Sequence, residues 1–333
     1  MKKFPGKEKD MSNKEKILWC IFGGVLVLLF LLSSTDLIIA EKKKEVHPVS
    51  VIVADSNDEY FSKFRKGMDN AAEKLQADVN FITLYHGNDV EEQMEMIQRE
   101  VKDGADAIIL DPVNEDDVLR ELDSIAFNCP VILLGETPGN SSVAVSIHEN
   151  RDAIGKMLAE HVTEAESAED QVWLFTEGLK YSGNRGIYEA IREVLEMNGF
   201  TYRLIEKTDE NRFVREIGNL TSKKTPPATI VAMDTVSLHE VADLVDGRAE
   251  LDGKISGMYG VGSTIGILRQ MEKGIVDGVV VNNRYDEGYS SVYYAVEAIQ
   301  GDTTETEIVL ESFYIDRESL RDPQYEKLLY PIE

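Results

Sequence analysis

The sequence predicts an α/β protein made of two doubly wound parallel-sheet lobes, preceded by one N-terminal transmembrane helix. Three observations carry this expectation. β-type runs alternate with helical patterns from residue 49 almost to the C-terminus. Several of those runs are apolar on both faces, as parallel strands covered by helices should be. About ten strands in strict βαβα alternation are more than one ordinary sheet holds, which suggests two.

In chain order the runs are VSVIVA from Val49, VNFITLY from Val79, ADAIILD from Ala105, PVILLG from Pro130, VAVSI from Val143, QVWLFT from Gln171, TYRLIE from Thr201, ATIVAM from Ala228, KISGMYG from Lys254, DGVVVNN from Asp277 and TEIVLESFYI from Thr306. Between them apolar residues recur at helical spacing, as in Phe61, Phe64, Met68, Ala71 and Leu75, in Ile154, Met157, Leu158 and Val162, and in Ile187, Ile191, Val194 and Leu195.

The N-terminus differs in kind. Residues 1–40 hold six lysines against four acids, whereas the whole chain of 333 residues carries a formal charge of -26. After Lys16 comes ILWCIFGGVLVLLFLLSST, an uncharged stretch that as a helix would rise about 28 Å, close to the thickness of a bilayer core. Lysines before the stretch and none within it predict a single-pass anchor at the cell membrane with the globule outside the cytoplasm. A signal peptide cleaved after Ala40 is the alternative. EKKKEVHP, residues 41–48, reads as a charged tether. The other cysteine besides Cys20 is Cys129, so the globule has no disulfide, as suits a Gram-positive surface or a cysteine-poor periplasmic protein.

Composition and motifs exclude several classes of function. The acidic balance excludes a nucleic-acid partner, because phosphate binding needs clustered Lys and Arg. The histidines at 47, 86, 148, 161 and 239 are scattered, and two separated cysteines make no zinc knuckle, so no metal is expected. There is no Gly-x-Ser-x-Gly elbow or Walker loop, and no catalytic residue is assigned. GVGSTIG, from Gly260, follows a strand and opens a helix as a dinucleotide loop would, but its third glycine comes one place late and no cofactor is expected.

Ligands of open α/β sheets bind beyond the carboxyl ends of strands. That rule selects Asp55, Asp58, Tyr60 and Phe61 after the first strand, Asp111 after the third and Glu136 after the fourth. In the C-terminal half it selects Tyr181 and Arg185 at a helix entrance, Asp234, and Asn282 with Asn283. Carboxylates and amides hold hydroxyls or amines, and rings pack on apolar or sugar faces, so the set describes a site for a sugar, polyol or cationic small molecule. Asp and Asn at strand ends also serve as plain helix N-caps and turn formers.

The order and spacing of VIVADSNDEYFSKFRKGMDNAAEKL, GADAIILDPVNEDDV, CPVILLGE, VAVSIHENRDAIGKMLAEHV, SGNRGIYEAIREVL, TIVAMDTVSLHEVADLV, GMYGVGS and MEKGIVDGVVVNN resemble the type 1 periplasmic binding proteins, and within them the ribose and galactose binders, over about residues 48–315. The resemblance implies two lobes joined by three hinge crossovers and closing on ligand. Lobe 1 would be 48–150 plus 284–309 and lobe 2 would be 151–283 plus 310–333, after a cytoplasmic tail at 1–16, an anchor at 17–39 and a tether at 40–47. It also matches Tyr60 and Phe61 to the aromatic pair that stacks on the sugar, and Asp58 to a polar ligand beside it. The chain departs from the sugar binders where Gly135 and Glu136 replace an Asp-Arg pair, where Gly183 replaces a ligand arginine with Arg185 two places on, and where Gly260-Val261-Gly262 replaces Gly-Phe-Asp. These changes tilt the expected pocket towards acid. The resemblance thus implies a non-catalytic solute-binding protein for a sugar, polyol or amine-bearing ligand, partnered by an ABC permease or a sensor histidine kinase. A LacI-type regulator lacking its DNA-binding head and a nucleotide-dependent oxidoreductase using GVGSTIG are the competing classes.

Overall fold

A computed structural model of the protein describes residues 12–34, 46–53, 58–85, 89–124, 129–137 and 142–330, with the side chains of 32–34, 58–60, 182 and 327 outside the description. It divides into two units, Met1–Val46 and His47–Glu333.

In the first unit α1 spans Asn13–Ser34, and its apolar side chains are exposed all round, Trp19 at 64% and Phe30 at 70%. Among the described residues no helix is long and apolar enough to cross a membrane. The expected span at 17–39 is therefore not found as such: α1 opens with Lys14, Glu15 and Lys16, and residues 35–39 lie outside the described residues.

The second unit begins with β1 (His47–Val53), α2 (Asp58–Leu75), β2 (Ala77–Thr83), α3 (Val90–Asp103), β3 (Ala107–Leu110), α4 (Glu115–Ser124), β4 (Val131–Leu134) and β5 (Val145–Glu149). The chain then enters a second sheet through α5 (Arg151–Ala165), β6 (Gln171–Thr176), α6 (Ser182–Met197), β7 (Tyr202–Glu206), α7 (Arg212–Leu220), β8 (Ala228–Ala232), α8 (Thr235–Val245), β9 (Ile255–Val261), α9 (Ile265–Lys273) and β10 (Gly278–Asn282). It returns to the first sheet with α10 (Arg284–Gln300) and β11 (Glu307–Leu310), and ends in the second with β12 (Ser312–Asp316) and the short α11 (Glu326–Leu329).

The first sheet has the order β11-β5-β4-β3-β1-β2 and the second β12-β10-β9-β8-β6-β7. Every pairing in the first is parallel. The central strands β1 and β3 bury every residue from Val49 to Val53 and from Ala107 to Leu110, as two-faced runs of Val, Ile and Leu require. Each sheet has an apolar cluster on either face, built around Phe64 and Ile97 in the first lobe and around Phe175 and Leu195 in the second.

One expectation is corrected. TEIVLESFYI, read as one run, is two strands in different sheets separated by Glu311, and the second strand pairs antiparallel to β10. Strands of both lobes point their carboxyl ends at the gap between the lobes. A chain running out of β11 straight into the other lobe therefore travels away from that gap, against the local strand direction. A one-residue link leaves no room for the crossover that parallel pairing needs.

Helices α2 and α10 cover one face of the first sheet at very short range. A Cβ on Gly67 would fall on the Tyr285 carbonyl, and one on Gly288 would fall on the Phe64 carbonyl, so only glycine allows this approach. That packing fixes the start of α2, and so Phe61, at the mouth of the first lobe.

Candidate functional site

The chain passes between the sheets at residues 149–151, 282–284 and 310–312. A cleft of about 590 Å³ lies between the lobes beside the first two crossings. Its lining comes from strand ends in both lobes: Asp111 after β3, Leu134 and Gly135 at β4, Glu149 at β5, Glu177 after β6, Asp234 after β8 and Asn282 closing β10. A strand end is where the hydrogen-bonded ladder stops and side chains can turn towards a solute.

Four residues expected from the sequence meet here: Phe61, Asp111, Asp234 and Asn282. Phe61 is a wall rather than a free platform. It is 4% exposed and meets Phe64 and Phe81 edge to face, with centroids 6.0 and 5.8 Å apart. Asp234 caps α8, accepting hydrogen bonds from the Ser237 N–H at 2.8 Å, the Glu177 N–H at 3.0 Å and Asn184 Nδ2 at 3.3 Å. Its carboxylate ties the mouths of β6 and β8 together, the capping role that a strand-end acid often has. Asn282 Oδ1 accepts from Ser312 Oγ at 3.0 Å, which joins the second and third crossings.

The others fall elsewhere. Glu136 is outside the lining, with Oε1 3.7 Å from both Arg151 Nε and His148 Nδ1. Tyr181 precedes α6 outside the lining, and Arg185 is exposed, its Nε donating to the Leu179 carbonyl at 3.1 Å. Asp55 lies outside the described residues. Asp58 and Tyr60 open α2, with side chains outside the description.

The sequence reading missed three lining residues of note: Glu149, Arg151 and Arg284. The two arginines are the first residues of α5 and α10, directly after crossings. Arg151 grips Glu115 of α4 with Nη1–Oε2 at 3.1 Å and Nη2–Oε1 at 2.5 Å. A Cβ on Gly183 would lie 3.4 Å from Arg151 Nε. Arg151 therefore packs beside the position where the sugar-binder pattern carries an arginine and this chain has Gly183. At Gly135 a Cβ would meet the Glu115 carboxylate, so the glycine there makes room for this bridge.

Arg284 Nη1 lies 2.6 Å from Glu287 Oε2 and 3.6 Å from Glu149 Oε1. Burial, together with the nearby Glu287 carboxylate, pushes the Glu149 carboxyl up to about 8. Applying the strand-end rule at Glu149 instead of Ile147 would have found it. β5 continues two residues past the apolar run because the buried His148 is satisfied within the strand, its ring nitrogens 3.0 Å from Glu307 Oε1 and 3.1 Å from the Glu149 carbonyl.

At the rim, Lys63 of α2 reaches across to the second lobe. Its Nζ donates to the carbonyl and Oγ of Ser263 and to the Leu328 carbonyl, each at 3.1 Å, and burial pulls its ammonium down to about 8. Among the described residues no group of His, Cys, Asp and Glu is arranged to hold a metal ion. The GVGSTIG glycines serve the turn: Gly262 adopts φ 135°, and a Cβ on it would strike Thr235.

No curated protein sequence matches the chain. Solved structures match its fold over most of its length. An ABC transporter solute-binding protein from Agrobacterium vitis, bound with α-D-tagatopyranose, aligns with a TM-score of 0.76 at 16% identity, covering 86% of this chain and 100% of that one. One from Bacillus halodurans C-125 with bound myo-inositol gives 0.70 at 20% identity, covering 86% and 99%. A chain of the complex between the TorS sensor domain and TorT gives 0.72 at 16% identity, covering 86% and 98%. The family model for the periplasmic binding protein domain matches residues 49–303. With three quarters of its sequence inside that match and two sheets facing one another across a polar cleft, the chain belongs to the periplasmic binding protein domain family.

Proposed function

We propose that this protein is an extracytoplasmic solute-binding protein, held at the cell membrane by its N-terminal helix, that encloses a small sugar, polyol or amine-bearing ligand in the cleft. The observation that carries the reading is the cleft itself, where polar strand-end residues of two lobes converge beside two chain crossings able to act as hinges. In this reading Asp111, Glu149, Arg151, Asn282 and Arg284 supply the polar contacts and Phe61 an apolar wall; the expected ligands Asp55, Asp58 and Tyr60 remain proposals from the sequence alone.

The neighbours bound to tagatopyranose and myo-inositol support a hydroxyl-rich solute and delivery to an ABC permease. The neighbour solved in the complex of TorT with a sensor domain supports the second reading, a report of occupancy to a membrane sensor kinase. Anchoring is supported by the uncharged stretch from Ile17 to Ser34 and by the exposure of its side chains from Ile17 to Leu31, since a helix apolar all round needs either a core or a lipid phase. Lysines ahead of it favour a globule on the outer face.

Two assays test the proposal. Thermal-shift screening of the full chain against sugars, polyols and amines should return stabilising ligands, and no stabilisation by any of them would count against solute binding. Membrane fractionation should recover a full-length band, whereas a soluble form beginning near Glu41 would identify the segment as a cleaved signal.

A further inference from the structure

Among the described residues six carboxylates line the cleft, from Asp111, Glu149, Glu177, Asp234, Glu240 and Glu287, against two guanidinium groups. Both guanidinium groups are engaged by protein carboxylates, Arg151 by Glu115 and Arg284 by Glu287. Asp234 accepts from Ser237, Glu177 and Asn184, Glu240 from Lys207 Nζ at 2.6 Å, and Glu287 from Arg284. Glu149 differs. Among the described residues its Oε1 is shut from solvent and accepts no hydrogen bond, while Arg284 Nη1 stands off at 3.6 Å, beyond hydrogen-bond reach. A buried carboxylate oxygen without a donor is a costly arrangement, and in a ligand cleft it marks the place where a donor is missing.

We propose that the ligand carries a protonated amine and seats it at Glu149, which makes this carboxylate the residue that selects amine-bearing solutes over their neutral hydroxyl counterparts. The inference rests on the solute-binding reading and narrows it. A hydroxyl would give Glu149 a hydrogen bond but leave its carboxyl protonated beside Glu287 and Asp111. An ammonium supplies both the hydrogen bond and the compensating charge, and charge-assisted bonds are the stronger kind. Because Glu149 holds a proton near neutrality in the empty cleft, with its carboxyl raised to about 8, an arriving cation displaces that proton into solvent. Binding of an amine is therefore coupled to proton release, and binding of a neutral sugar is not.

The test is calorimetric titration of the full chain at neutral pH, in buffers of different ionisation enthalpy, with matched pairs: glucosamine against glucose, galactosamine against galactose, putrescine against butanediol. The expected result is an amine that binds about tenfold or more tighter than its hydroxyl partner and releases a proton. Glu149→Gln should bring the pair to parity by weakening the amine alone. The wild-type proton release is read without any variant, and Glu287→Gln, which lowers the same field from a different residue, should shrink the preference if Glu149→Gln does not fold. A neutral sugar bound as tightly as its amine, without proton release, overturns the amine inference and leaves the solute-binding reading standing. No binding by either member of any pair overturns both.

Discussion

Arg151, the first residue of α5 in the second lobe, holds Glu115 of α4 in the first lobe through two parallel hydrogen bonds of 3.1 and 2.5 Å. Both side chains are largely buried, at 16% and 11% exposure. Removing one partner strands the other charge, so Arg151→Met or Glu115→Gln should each cost about 3 kcal/mol of stability. The double variant should cost less than the sum of the two, because no charge is left alone. Chemical denaturation of the four proteins measures the coupling, and strict additivity would show that the bridge does not hold the lobes together.

Glu149 gives the empty protein a pH dependence. Its carboxyl is near 4.5 in the unfolded chain and about 8 in the fold, so between those values the folded state binds the extra proton. Its contribution to stability is complete below about pH 4.5 and is lost as pH rises through 8, with a slope of at most about 1.4 kcal/mol per pH unit. Melting curves of the wild type and Glu149→Gln should therefore diverge across that window, with the wild type losing ground as pH rises. Parallel curves would show that Glu149 is not desolvated.

Lys63 has the opposite sign. Its ammonium is lowered from 10.5 to about 8, so between those values the unfolded chain holds the proton that the fold has released. Its contribution is complete above about pH 10.5 and falls away as pH drops through 8. Relative to Lys63→Met, the wild type should gain stability from pH 8 to 10. The Met variant also removes three hydrogen bonds that cross the cleft rim to Ser263 and Leu328, so ligand should leave it faster at every pH.

Phe61 belongs to the aromatic cluster with Phe64 and Phe81 as much as to the cleft. Phe61→Ala should cost about 3 kcal/mol of stability through the cavity it leaves. If the variant melts normally but loses ligand, the ring is a stacking platform after all.

Most of the architecture was legible because buried parallel strands announce themselves as Val- and Ile-rich runs and each is followed by an amphipathic helix. What escaped was decided by long-range geometry. Nothing in ESF itself says that Leu310 and Ser312 pair with different sheets; the division near residue 310 came from the family resemblance, and the antiparallel sense of β12 follows from where the lobes meet. In the site, Asp111, Asp234 and Asn282 were visible because each directly follows a run of buried strand residues. Glu149 was hidden behind His148, a polar residue inside a strand whose partners Glu136 and Glu307 are distant in sequence. Arg151 was hidden because its nearness to Gly183 depends on how α5 packs against α6, which no local pattern encodes. The acidic character expected of the pocket does appear among the lining residues, carried by Glu149 and Glu287 beside Asp234, while Glu136 stands apart.

The central claim is that a small polar ligand is held between the lobes, and hydrogen–deuterium exchange of the full chain with and without a stabilising ligand from the screen tests it most directly. The account predicts slower exchange on both walls at once, around residues 111, 134–135 and 149 in the first lobe and 151, 177, 233–236, 261–264 and 282–284 in the second. Protection confined to one lobe, or to surfaces away from the cleft, would contradict it.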